Sequence, residues 1–151
     1  MPGSSFPTDV ARRTTIDGRG ARVLGPDECQ RLLAQATSSN VGRLAVDDVP
    51  SPHVIPVNFS VAGNRVLVRL GPGWTAFHLD GAECTFEVDQ TPSPGRKGWS
   101  VVVEGIAHIL PYDTVARLGT HLPTPRVPRP GIRVFEIVPS QLTGRCLDDQ
   151  F

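Results

Sequence analysis

Arg69 stands two residues before a Gly71-Pro72-Gly73 turn, and Trp74 and Thr75 follow it, within the stretch "VLVRLGPGWTAFHL" at 66–79. A guanidinium presents a rigid fork of N–H donors that matches phosphate oxygens, and such charge-assisted bonds are strong. Glycines let a ligand come close to the backbone. A helix beginning at Trp74 would turn its first N–H groups back toward the turn, which suits an anion. These residue types at this spacing describe a phosphate cradle. They also describe an ordinary strand–turn–helix junction, where a nearby arginine is common. The residues alone leave both readings open.

Other chemistry is poorly provided for. His53, His78, His108 and His121 are scattered, with no pair at helical or hairpin spacing around a carboxylate, so a metal site is not expected. No Ser or Cys lies in a G-x-S-x-G elbow. Glu83, Glu87 and Asp89 alternate with apolar residues and read as a solvated strand face. Cys29, Cys84 and Cys146 are odd in number and lack metal or redox spacing, as inert thiols in a reducing compartment would. Pro56 sits inside a strand pattern, where it cannot donate a ladder hydrogen bond. It marks an edge or interruption, and leaves the backbone of Val57 and Asn58 able to bond something other than a strand.

The elements that must position these residues follow from periodicity. Residues 1–20 are polar and rich in Gly, Ser, Pro and Arg, and are expected to form a mobile arm. A single domain is expected over 21–151. Cys29, Leu32, Leu33 and Ala36 form a helical stripe behind Pro26, Asp27 and Glu28. The period then changes to two. Strands are expected over 41–47, 53–61, 65–70, 83–89, 98–110 and 132–142, with Gly63-Asn64 as a hairpin turn. In the third of these, Arg65, Leu67 and Arg69 share the face opposite Val66, Val68 and Leu70. Gly105 inside the long apolar strand predicts a bulge or barrel corner. A helix is expected over 112–118, followed by a proline-rich loop over 121–131 whose arginines read as solvated. Strands on short turns with few small helices argue for a mainly β, closed or nearly closed antiparallel barrel.

Composition narrows the partners. The chain has 151 residues and a formal net charge of zero, which argues against nucleic acid or an anionic membrane. Its 15 basic residues are Lys97 and 14 arginines, so any phosphate clamp must be built mostly from Arg. The N-terminus has no apolar run, so neither a signal peptide nor a membrane anchor is expected, and the expected compartment is the cytoplasm.

Four segments resemble the pyridoxamine 5′-phosphate oxidase-like family of flavin-binding split β-barrels, in its small bacterial branch. They are "GPDECQRLLAQATSSNVGRLAV" with its GRL, "VIPVNFSVAGNRVLVRLGPGW", "GWSVVVEGIAHIL", and "VFEIVPSQLTGRCL" with its GR. The resemblance implies a Greek-key split barrel like the FMN-binding proteins. It implies a homodimer holding FMN, or a deazaflavin, in clefts between subunits. By position, Pro56, Val57, Asn58 and Phe59 would lie along the isoalloxazine ring. Arg69 would hold the phosphate, with Leu70, Gly73, Trp74 and Thr75 completing the cradle. Trp99 would lie near the ring or ribityl chain, including that of the partner's cofactor.

One departure stands out. The family pattern resembles R-T-x-x-G-x-K, whereas this chain reads R-L-G-P-G-W-T. Leu70 replaces a hydroxyl and Thr75 replaces a lysine. Three functions follow as expectations. The first is an FMN-dependent oxidoreductase acting on a small organic substrate. The second is a deazaflavin-dependent reductase. The third is a non-catalytic dimer of the same fold that has lost its cofactor.

Overall fold

A computed structural model describes residues 16–36, 41–124 and 130–147. In chain order the elements are β1 (Val23–Leu24), α1 (Pro26–Gln35), β2 (Val41–Val46), β3 (Ile55–Ala62), β4 (Arg65–Leu70), α2 (Trp74–Leu79), β5 (Glu83–Gln90), β6 (Gly98–Ile109), α3 (Tyr112–Leu118) and β7 (Arg133–Leu147). The sheet order is β1-β7-β4-β3-β2-β5-β6, and β6 also pairs with β7, so strands β2 to β7 close on themselves. All pairs are antiparallel. β2, β3 and β4 form a meander and β5 returns beside β2, which is a Greek key. The mainly β barrel read from the sequence is therefore the fold of the molecule.

Alternation fills the barrel. Cys84, Phe86 and Val88 point inward from β5, while Glu83 and Asp89 face out. Phe59 and Phe86 meet edge to face across the interior at 5.0 Å. A Cβ on Gly42 would run into the Phe86 ring, so the ring takes the space a side chain would need. On β4 the face shared by Arg65, Leu67 and Arg69 is covered at Leu67, which is as deeply buried as its neighbours Val66 and Val68 on the core face. Leu67 lies opposite Ser60. The Ser60 hydroxyl donates to the His121 carbonyl, which brings the 3-10 turn Gly119–His121 onto that outer face.

The closing strand is longer than its apolar pattern indicates. β7 continues to Leu147, pairing with β6 along its length on one side, and with β4 and then β1 on the other. The register shifts between Glu104 and Gly105, where Pro139 and Gln141 are successive partners, so the expected bulge is present. β1 is too short to show a period and was not expected. α1 packs Cys29 and Leu33 against the barrel, and a Cβ on Gly144 would come within 2.7 Å of the Cys29 sulfur.

Residues 16–20, the end of the expected arm, form a turn against β7. The Asp17 carboxylate accepts the backbone N–H groups of Arg19 and Ala21 and the Arg145 Nε–H. These bonds, led by the one from Arg19, hold the Asp17 carboxyl below its usual range. Residues 1–15 of the arm, the "TSSN" after α1 at 37–40, and Arg126 and Arg129 of the proline-rich loop lie outside the described residues.

Candidate functional site

Strands β3 and β4 part at one end of the barrel. Their ladder runs from Ala62–Arg65 to Asn58–Arg69 and goes no further. Beyond it, Leu70 pairs with Arg133 of β7, and the chain leaves through Gly71-Pro72-Gly73 into α2. Among the described residues, Ile55, Pro56 and Val57 have ladder partners only in β2. The gap is a cleft of about 430 Å³, walled by His53, Ile55 and Pro56 on one side and by residues 69–76 on the other.

Six of the expected site residues line this cleft: Pro56, Arg69, Leu70, Gly73, Trp74 and Thr75. Pro56 does mark an interruption, since the strand loses its second neighbour where the missing N–H would otherwise be needed. Asn58 sits opposite Arg69, at the last rung before the gap. Val57 and Phe59 turn their side chains into the core, at 3% and 0% exposure. Only their backbone is available at the rim. Trp99 is half-buried opposite Gln90 and Cys146, and it does not line the cleft.

The cradle differs from its expected form in two respects. α2 is only six residues long, so its dipole is small, and the positive charge on the cleft wall is Arg69. Leu70 belongs to the hydrophobic core and Thr75 is buried, so neither stands out from the wall as a phosphate ligand would. A Cβ on Gly73 would meet nothing within 4 Å, which leaves bare backbone beside the space. A planar group with an anionic tail fits these walls: polar backbone at Ile55–Val57 for the plane, and a guanidinium and exposed turn for the anion.

His53 and Ile55 were not singled out as site residues. His53 precedes β3, and its ring lies 5.1 Å from Trp74. No period or motif marks it, because its position depends on a loop that meets α2 only in three dimensions. Among the described residues there is no cluster of three or more His, Cys, Asp or Glu able to hold a metal ion, and no helix is long and apolar enough to cross a membrane.

The family model for pyridoxamine 5′-phosphate oxidase matches residues 25–146, and the chain belongs to this family. A solved FAD binding protein from Mycobacterium smegmatis is 27% identical, with 83% of this chain and 97% of that one covered at a TM-score of 0.67. A FAD-binding protein from Mesorhizobium loti is 25% identical, covering 85% and 99% at 0.64. A conserved protein of unknown function from Corynebacterium diphtheriae is 25% identical, covering 85% and 98% at 0.68. No curated protein matches the chain.

Proposed function

We propose that this chain binds a flavin in the β3–β4 cleft and acts as a flavin-dependent oxidoreductase on a small organic substrate. The parting of the two strands carries this reading, because it joins Arg69, the glycine turn and the backbone of Ile55–Val57 in one space. The isoalloxazine would lie along Pro56–Asn58 and the phosphate at Arg69. FMN suits such a cradle. Two observations favour FAD over it: two similar structures are described as FAD-binding, and the family's hydroxyl and lysine are replaced by Leu70 and Thr75. A weaker phosphate clamp leaves more affinity for the rest of the ligand to supply. Bound flavin supplies the hydride and electron chemistry, while the chain holds and orients it. Such a site needs no acid/base constellation of its own.

The test is the visible absorption spectrum of the purified protein, alone and with excess FAD, FMN or a deazaflavin. A perturbed flavin spectrum that remains with the protein after desalting is expected. Binding of the deazaflavin alone would assign the cleft to that cofactor instead. Absence of binding by all three at about 50 μM, a dissociation constant too weak to hold a resident cofactor, would leave a non-catalytic barrel.

A further inference from the structure

α2 is anchored by one face and exposes the other. Thr75 and Leu79 are buried, whereas Trp74 is 42% and Phe77 83% exposed. Trp74 and His78, one turn apart, stack with ring centroids 4.3 Å apart and planes 27° apart. The Nδ1 of His78 lies 2.8 Å from the Trp74 carbonyl oxygen, which fixes the imidazole against the helix. Phe77 meets His78 edge-on at 5.0 Å, and His53 approaches Trp74 from the loop before β3. Four rings thus form a continuous exposed ladder. Its inner members, His53 and Trp74, also line the cleft.

We propose that this ladder is a stacking subsite for the adenine of a dinucleotide flavin, an inference that rests on the flavin reading above. The direction of the ligand supports it. With the isoalloxazine along Pro56 and a phosphate at Arg69, the chain beyond the phosphate leaves past Gly73, and the next side chain there is Trp74. Every base has a flat π face, and aromatic side chains bind it by stacking without a specific hydrogen-bond code. FMN ends at its phosphate and has no base to stack on these rings, so the ladder favours the dinucleotide of the two flavins.

Calorimetric titrations with FAD, FMN and ADP would test this on the wild-type chain, Trp74→Ala and Trp74→Phe. Trp74→Ala should weaken FAD and ADP by roughly five- to a hundredfold. FMN, which meets Trp74 only as part of the cleft wall, should be weakened by a clearly smaller factor than FAD, and Trp74→Phe should recover most of the loss. Equal weakening of FAD and FMN, or none in either, would overturn the subsite while leaving the flavin site standing. If the wild type binds neither flavin, the flavin reading fails. Trp74-dependent binding of ADP would then still support a purine platform, and absence of ADP binding would end that too. A drop in elution mass for Trp74→Ala would show that the ladder is a contact between chains, which also overturns the proposal.

Discussion

Arg69 is the residue on which the cleft's affinity for an anion depends, because Leu70 and Thr75 beside it are buried and uncharged. Hydrogen bonds from a charged donor contribute about 1.5–3 kcal/mol. Arg69→Ala should therefore weaken flavin by roughly ten- to a hundredfold, read by titration of the visible spectrum. An unchanged dissociation constant would remove Arg69 from the site. Thr75 is the complementary case. A lysine there could run its stem along the cleft wall and place its ammonium in the open space, as long side chains commonly do. Thr75→Lys should tighten FMN by about tenfold, and a lack of gain would mean that position 75 is not what weakens the cradle. At this scale the sequence was informative where chemistry is local. Arg69, the glycine turn and Pro56 could be read from neighbours in the chain. His53 could not, since its role depends on a contact with Trp74 across more than twenty residues.

Pairs of elements hold information that single residues do not. Arg43 of β2 reaches Glu87 at 3.1 Å and Asp89 at 3.5 Å, both on β5, across the outer barrel face. The alternation of β5 identified that face, but not that two carboxylates share one arginine there. Burial pushes the Glu87 carboxyl up to about 7, and the hydrogen bond and charge of Asp89 add to this; Arg43 opposes both and does not cancel them. An acid whose folded pKa is raised holds its proton more tightly when folded. Its contribution to stability is thus full below its ordinary value of 4.5 and is lost as pH rises through about 7. Urea unfolding across this window should show stability falling as pH rises, and Glu87→Gln should flatten the fall. An unchanged slope in the variant would assign the pH dependence to other groups. The glycines in the two motifs of the family resemblance also have their reasons at this scale. Gly42 makes room for the Phe86 ring, and Gly144 lets α1 approach β7 through Cys29. Neither reason can be read along the chain, since each depends on what a distant element places opposite.

At the scale of the molecule, Trp99 is an expected site residue that packs against the core and lies outside the cleft's lining. Leu70, at the cleft, pairs with Arg133, whereas Trp99 pairs with Cys146, thirteen positions further along β7. The barrel is closed, however, and the rungs Arg69–Asn58, Asn58–Val41 and Gln90–Trp99 carry the sheet round from Arg69 toward Trp99 within one chain. A second copy would let Trp99 reach the cofactor across a subunit interface, as the family resemblance implies. The chain should then elute at twice its 16.3 kDa, and Trp99→Ala should weaken flavin binding although Trp99 does not line the cleft. Mixing chains gives the sharper test. An Arg69→Ala chain and a Trp99→Ala chain, refolded together, form a heterodimer with one site intact in both residues and one lacking both. Flavin occupancy should recover to about half in that heterodimer, as expected when each site draws residues from two chains. A monomer, or a dimer whose sites each use a single chain, would show no recovery on mixing, and Trp99 would then be a tryptophan of the barrel end.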